Sequence, residues 1–352
     1  MVNLGTSPEV ISMALSLKLD AQHPVDAIVS YCKGKMLAWV KKAGGAHCIA
    51  QVQEIVCQNL GLVLEEVRSD EGVETLAQKY MGLGEKVFAS LSMQLDQDTF
   101  ATVMRRAPTG PKAHDRYVAV IDCRGKKAAR RFFTRWHEIA HLLTLVTQRE
   151  LPFQRFRSSK DKDADPEERL MDIIAGEVGF YDPIFKPALA AELEQNGFLS
   201  FDGVERIRCS VCPDASFQAT LIACAKRAPT PIIQLEAAMG HKKCEEAEIA
   251  SGQLSMFGIP KPEAKLRAYR AVPNAAAKMA GFFIFPNMQI PEDSIISAHY
   301  RDTLGVEASL GISGTESFSL WESSDGAVCG DGQIHVEVRK LAGTTFALVQ
   351  PG

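Results

Sequence analysis

The sequence of 352 residues predicts an α+β fold, and three of its features support that class. Residues 25–41 and 46–60 have the apolar spacing of amphipathic helices. Residues 117–121 are rich in β-branched side chains, as buried strands are, and a helical period follows over 132–147. Residues 261–352 are rich in Ser, Gly and Thr and contain short alternating runs that are typical of strands. We therefore expect helices that flank a mixed core, followed by a small β-rich C-terminal module.

Glycines, prolines and polar stretches set the order of the remaining elements. Gly61 ends the second helix, as a glycine after a helix C-terminus often does, and residues 62–67 then form a strand. Residues 87–93 alternate apolar and small side chains, which predicts another strand. Residues 155–167 are charged and contain a proline, so we expect an exposed loop there. The other expected elements are helices over 74–81 and 167–179, mainly helical structure over 184–258, and strands at 318–321, 334–338 and 345–349.

The same pattern divides the chain into four regions. In chain order we expect an N-terminal helical region, a catalytic core, a helical region that packs on the core, and a β-rich domain for sensing or partner binding. Their expected bounds are 1–85, 86–185, 186–260 and 261–352.

Composition excludes several classes of protein. A hydrophobic fraction of 46% with 23% charged residues is ordinary for a globular chain. The net charge of −4 gives no electrostatic basis for a dedicated nucleic-acid binder. No apolar run approaches the roughly 20 residues of a membrane helix, and the first residues lack the pattern of a signal peptide. Nine scattered cysteines, an odd number, favour reduced thiols, so we expect a cytoplasmic protein with no membrane partner.

The segment Trp136–His141 has the HExxH pattern and lies inside the predicted helix 132–147. Two histidines four positions apart project from one face of a helix, so both imidazoles can reach one metal ion. Glu138 stands between them in sequence, where it can act as a general base on a metal-bound water. The pattern therefore predicts a catalytic metal site with His137 and His141 as ligands.

A second pattern, ExxxD, follows on the next predicted helix. Glu168 can complete a His2Glu site and leave one position open, as catalytic zinc requires. Asp172 lies one turn further on and can accept a hydrogen bond from a ligating histidine, which would fix the tautomer of that ring. Zinc is the expected metal, with manganese and iron as alternatives for this ligand set. The competing interpretation is that both histidines and both carboxylates lie on solvated helix faces.

These parts predict a zincin-like metallopeptidase core. Zinc would lower the pKa of its water to about 7, and Glu138 would accept the water proton and deliver it to the leaving amine. The strand that precedes the metal helix could bind an extended substrate by strand addition, through Tyr117, Val118, Ala119 and Val120. The candidates for stabilising the oxyanion, by proximity in sequence alone, are Tyr117, His114, Arg135 and Tyr181.

Three runs of sequence, YVAVIDCRG, ARRFFTRWHEIAHLL and EERLMDIIAGEVGF, resemble the ImmA/IrrE family of regulatory metallopeptidases. The resemblance covers about residues 45–245, and it implies metal ligation by His137, His141 and Glu168 with Glu138 as the base. Asp172 stands where that family commonly has asparagine. Members of the family cleave helix-turn-helix transcriptional repressors, so the resemblance implies a protein substrate of that kind and a role in transcriptional regulation, including the stress response.

Several further patterns are better explained by ordinary packing or by solvated surface than by a functional site. Cys209, Cys212, His241 and Cys244 have ligand-like spacing, but ordinary packing is the preferred interpretation. A basic cluster before the metal helix is interpreted as a solvated face, and two predicted helices within 213–245 are interpreted as packing elements; direct nucleic-acid binding is not expected. The basic residues are Arg124, Lys126, Lys127, Arg130, Arg131 and Arg135.

Two alternative functions stay open at this point. One is a DNA-binding or scaffolding regulator that keeps the metal fold without turnover. The other is a defence or toxin-like peptidase with a different substrate. The oligomeric state is left open.

Overall fold

The computed structural model describes two compact units. The first contains Met1–Ala188 with Arg208–Thr220, and the second contains Leu189–Ile207 with Leu221–Gly352. Both units combine helices with a sheet, so the predicted α+β class is confirmed. The residues described are 4–106, 116–145, 153–157 (backbone only), 165–251, 260–322 and 329–352.

The helices of the first unit begin and end at residues that favour helix termini. Proline occupies the first helical position of three of them, where its missing N–H needs no partner. Gly61 follows another helix with a φ of +64°, a left-handed conformation that glycine adopts without steric cost. The helices are α1 (Pro8–Ser16), α2 (Pro24–Lys42), α3 (Ile49–Leu60), α4 (Asp70–Gly82), α5 (Leu91–Gln94), α6 (Arg131–Thr144) and α7 (Pro166–Val178).

The sheet of the first unit has the strand order β1-β3-β2-β4. β1 is parallel to β3, whereas β2 is antiparallel to both β3 and β4. All six residues of β3 are buried, because it is an inner strand covered on both faces. The strands are β1 (Leu62–Val67), β2 (Thr99–Arg105), β3 (Tyr117–Asp122) and β4 (Phe153–Arg157). The predicted strands at 62–67 and 117–121 are therefore confirmed.

Helices cover the faces of β3. Val118 and Val120 belong to a buried cluster that includes residues of α4 and α5. Because successive side chains of a strand point to opposite faces, Ala119 and Ile121 lie on the other face. α6 contacts both β3 and β2. Ile139 is one of the buried apolar residues of this helix.

The prediction of a strand over 87–93 is wrong. A 3₁₀ helix spans Lys86–Ser90 and α5 follows it directly. Phe88, Leu91 and Leu95 are buried there at spacings of three and four, which is a helical period. The alternation of small and apolar side chains made the segment resemble a strand. The next strand, β2, begins later, at Thr99.

The second unit contains an antiparallel sheet in the order β6-β5-β9-β8-β7. Trp321, Val336 and Val349 are among its fully buried core residues. The strands are β5 (Ile233–Gly240), β6 (Lys265–Pro273), β7 (Ile312–Ser317), β8 (Gln333–Leu341) and β9 (Thr344–Pro351). The helices that follow α7 in the chain are α8 (Asp182–Asn196), α9 (Phe201–Val211), α10 (Phe217–Arg227) and α11 (Lys243–Ser251), with short helices at Ala275–Met279 and Ile295–Asp302.

The β-rich C-terminal module is present, but its sheet begins earlier in the chain than expected. β5 lies within 186–260, the region predicted to be helical and to pack on the core, and 221–260 belongs to the second unit. The strands predicted at 334–338 and 345–349 are confirmed within β8 and β9. The strand predicted at 318–321 is wrong, because Phe318–Leu320 is a 3₁₀ helix. Among the described helices, none has the length and apolar character needed to cross a membrane.

Candidate metal centre

The HExxH residues lie on α6, a helix with almost no solvent-exposed surface after its first turn. Every residue from Trp136 to Thr144 is buried, and His137 and Glu138 have no exposed area. Polar residues on a buried helix require polar partners or a bound ion, because leaving them without either is costly. The competing interpretation, in which the two histidines lie on a solvated helix face, is therefore excluded by this structure.

The start of α6 is fixed by ion pairs to two other elements. Arg135 forms ion pairs with Glu66 of β1 and with Asp214, the latter at 3.0 Å. Arg131 contacts Asp214 as well, at 2.6 Å. Arg135 precedes His137 by two residues, so these contacts hold the helix turn that carries the first metal ligand.

α7 presents the third ligand because of the way this helix begins. The Asp165 side chain accepts hydrogen bonds from the backbone N–H groups of Glu167 and Glu168, and Pro166 occupies the first helical position. These features fix the first turn of α7, where Glu168 lies. Further along, α7 approaches α6 closely, since a Cβ on Gly179 would come within 2.9 Å of Trp136 Cδ1.

Three side-chain atoms from the two helices converge on one point. His137 Nε2 lies 3.1 Å from His141 Nε2 and 3.1 Å from Glu168 Oε2, and His141 Nε2 lies 3.4 Å from Glu168 Oε1. With metal–ligand distances of about 2.1 Å, two ligands of a tetrahedral ion are separated by about 3.4 Å. The separations therefore fit a single divalent ion bound by these three residues. Within the described part of the chain, this is the one group of His, Cys, Asp and Glu residues with such convergence.

Asp172 provides the predicted support for the first ligand. His137 Nδ1 donates a hydrogen bond to Asp172 Oδ1 over 2.8 Å. This contact holds the proton on Nδ1 and leaves Nε2, which faces His141 and Glu168, with a lone pair for the metal. The Asp172 carboxylate thus makes the contact with a candidate ligand that was predicted for it.

The electrostatics of the cluster suit metal ligation. Burial raises the pKa of Glu168, but hydrogen bonds with His137 and His141 more than offset this and place the pKa below 4.5, so the carboxyl is ionised. Burial lowers the pKa of His141, which favours its neutral form. Burial also lowers the pKa of His137, but Asp172 and Glu168 reverse that effect and the net pKa is raised. A metal ion at Nε2 would therefore compete with a proton on His137.

Glu138, the predicted base, is fully buried beside the ligands. Its carboxylate charge contributes to the raised pKa of His137, which places the two groups within electrostatic reach of each other. The side chain is adjacent to the metal ligands in the same helix turn. The role of Glu138 as proton acceptor for a metal-bound water therefore stays a prediction.

The prediction of substrate binding by strand addition to β3 is wrong. Tyr117, Val118, Ala119 and Val120 are all buried, and their backbone is paired with β1 on one side and with β2 on the other. Strand addition needs a free edge, and an inner strand has none.

The structure assigns no oxyanion-stabilising role to the other candidates. Arg135 is engaged in the ion pairs described above. Tyr181 lines a separate cavity of about 200 Å³ together with Lys33 and Glu177, and burial raises the pKa of its hydroxyl. The Tyr117 hydroxyl is buried and has no hydrogen-bond partner among the described residues. His114 lies outside the described residues.

The discounted patterns also have structural explanations. Arg124 and Lys127 of the basic cluster form ion pairs with buried Asp122, each at 2.7 Å, so part of that cluster anchors a loop. Cys212, directly after the end of α9, is buried, whereas Cys209 on α9 is exposed. Of the two helices predicted within 213–245, the first is present as α10, but the segment after Pro231 forms β5, so the second predicted helix is wrong.

Sequence reasoning missed the residues that position the ligand helices. The Asp-Pro-Glu-Glu run at 165–168 is a helix-start pattern that could have located the first turn of α7. The contacts of Arg135 with Glu66 and Asp214 join residues 69 and 79 positions apart, and no local signal indicates them.

No protein-family model and no curated protein matches this chain. The resemblance to the ImmA/IrrE family therefore rests on the motif residues themselves.

Proposed function

We propose that the protein is a zinc-dependent endopeptidase. The observation that carries the proposal is the convergence of His137, His141 and Glu168 within 4.8 Å on two packed helices, with Glu138 buried in the same turn. A bound zinc ion supplies a water of lowered pKa and polarises a substrate carbonyl. Manganese or iron would fit the same ligand set.

The chain's own residues have distinct roles in this proposal. The Glu138 carboxylate accepts a proton from the attacking water and transfers it to the nitrogen of the leaving amine. Asp172 holds the proton on Nδ1 of His137 and so keeps Nε2 available. Burial of α6 removes bulk water from these groups and strengthens their electrostatic interactions.

The proposed substrate is a regulatory protein, such as a helix-turn-helix transcriptional repressor. The family resemblance supports this substrate, and the nine free thiols support a cytoplasmic site of action. The proposal also implies an increase in transcription when the repressor is cleaved.

The test compares Glu138→Gln with the wild type in cells. We expect the variant to retain its zinc, because Glu138 is not a ligand, and to lose roughly 10²–10⁴-fold in cleavage rate. Proteome-wide labelling of new N-termini should reveal cleavage sites that appear with the wild type and not with the variant.

Metal content and cleavage are read out separately. Equal cleavage by the variant and the wild type would overturn the peptidase proposal, as would a purified wild type that binds none of zinc, manganese and iron. New N-termini in a protein other than a repressor would support the peptidase chemistry and reject the proposed substrate. A phenotype that persists in a cleavage-deficient variant would favour the non-catalytic regulator.

A further inference from the structure

The second unit contains an open cleft of about 680 Å³, separate from every residue of the metal centre. The start of α11 forms one side and the segment 285–291, which lies along the edge strand β6, forms the other. Arg267 of β6 lines the cleft, together with Lys242 and Lys243.

Arg267 is buried, and no described residue supplies a counter-charge to it. Only 4% of its surface is exposed. Its Nε donates to the Gly240 carbonyl oxygen over 3.2 Å, and Nη1 donates to the Asn287 carbonyl oxygen over 3.0 Å. Those two oxygens hold the guanidinium in place but leave its charge uncompensated, and no carboxylate of the described residues pairs with it. A buried charge of this kind is costly unless an anion compensates it.

Another arginine on the same strand shows the contrast. Arg270 is about half exposed and forms an ion pair with Glu236 at 3.2 Å. The exposed Arg270 therefore has a carboxylate partner, whereas the buried Arg267 lines a cleft and has no carboxylate partner among the described residues. The difference points to a ligand as the partner of Arg267.

The other charges around the cleft favour an anion as well. Lys242 and Lys243 are exposed at the start of α11, and the positive end of the helix dipole adds to their effect. Among the described residues that line the cleft, Glu322 is the one carboxylate. Glu245, in the first turn of α11, accepts a hydrogen bond from the Lys242 backbone N–H and is not part of the lining.

Apolar side chains complete the wall of the cleft. Phe285 is 49% exposed and Leu320 is 40% exposed, while Met288 is buried. Exposed apolar surface beside a charged group is typical of sites that bind an organic ligand with a charged end.

We propose that this cleft binds a small organic oxyanion, a phosphate ester or a carboxylate, whose charged group lies against Arg267 and whose apolar part lies against Phe285. The planar guanidinium presents parallel N–H donors that match both kinds of anion. Lys242 and Lys243 contribute attraction without fixed geometry.

Cys244 lines the same cleft and is exposed, so its thiol reports on occupancy. The experiment measures its alkylation rate with iodoacetamide, a neutral reagent, by peptide mass spectrometry, with exposed Cys209 as the reference thiol. The probes are phenyl phosphate, benzoate and uncharged benzamide. At a probe concentration about ten times its Kd, alkylation of Cys244 should slow about tenfold while that of Cys209 stays constant. The stronger of the two anions identifies the class of ligand.

Variants test the role of the buried arginine. Arg267→Gln should abolish protection of Cys244, and the matched control Arg270→Gln should retain it. Lys243→Glu, at an exposed position, should weaken protection even where Arg267→Gln fails to fold. Three results would each overturn the proposal: no protection by either anion, equal protection by benzamide, or equal protection in the folded Arg267→Gln variant and the wild type.

Discussion

Replacement of Asp172 tests whether the second-layer contact supports metal binding. Asp172 Oδ1 accepts a hydrogen bond from His137 Nδ1 over 2.8 Å, and His137 has no exposed surface. Asp172→Ala removes the acceptor and leaves the Nδ1 proton to be held by whatever water can reach it. Asp172→Asn keeps an amide oxygen as acceptor but removes the charge, which gives the residue that the ImmA/IrrE family commonly has.

The expected size of the effect follows from the kind of contact. Loss of such a partner typically weakens metal binding 10- to 100-fold, which corresponds to about 1.4–2.7 kcal/mol. The Asp172 side chain is 31% exposed, so water can replace part of what is lost in the alanine variant. We therefore expect Asp172→Ala to weaken zinc binding about 10- to 30-fold, and Asp172→Asn to weaken it less.

The assay is a competition titration of apo-protein and a chromophoric chelator for zinc. Asp182→Asn is the matched control. Asp182 is about as exposed as Asp172, but it pairs with Lys33 and not with a candidate metal ligand. The reasoning would be refuted if Asp172→Ala bound zinc as tightly as the wild type. It would also be refuted if the control variant lost as much affinity as Asp172→Ala.

Three further predictions concern stability. Gly179→Ala should lower the free energy of unfolding by about 1–3 kcal/mol, because the added Cβ would come within 2.8 Å of the Ala175 carbonyl oxygen. Gly176→Ala has open space around the added Cβ and should instead stabilise α7 by up to about 1 kcal/mol. Urea titrations of both variants measure these changes. Asp122→Asn should destabilise the protein at neutral pH by about 2–4 kcal/mol. Burial raises the pKa of Asp122, but its hydrogen bonds with two basic side chains place the net pKa below 3.8. This stabilisation is therefore present above the unfolded pKa of about 3.9 and is lost as pH falls through the folded value. Unfolding measured across that pH range should show the wild type and the variant converging in acid. Removal of metal with a chelator should lower the melting temperature, and zinc at about 100 times its Kd should restore about 2.7 kcal/mol in the wild type but not in His141→Ala.

The residues of the candidate metal centre could be identified from sequence because the geometry within each helix is set by short-range spacing. His137 and His141 are four positions apart on a helix, and the helical period alone brings their side chains to one face. Glu168 and Asp172 have the same spacing on α7, so the helical period sets the relative position of the two side chains within each pair. The sequence predicts that the two pairs converge. The distances of 3.1 and 3.4 Å from the His137 and His141 Nε2 atoms to the Glu168 carboxylate depend on the packing of α6 against α7.

The errors in the predicted strands share a physical cause. Residues 87–93 alternate in a way that fits a strand, but Phe88, Leu91 and Leu95 are buried at helical spacing. A short apolar run fits both periods, and the surface against which it packs decides between them. The same holds for Phe318–Leu320, which forms a 3₁₀ turn before the buried Trp321.

The sequence by itself determined the α+β class, the two pairs of candidate metal-site side chains and β3, because each depends on periodicity or spacing within a few residues. The tertiary structure decided that β3 is an inner strand without a free edge, because pairing with β1 and β2 joins residues far apart in the chain. It also decided that Arg135 is held by Glu66 and Asp214, and that Arg267 is buried with no carboxylate partner among the residues that the structure describes. Those outcomes depend on which distant groups surround a side chain, and local sequence carries no record of them.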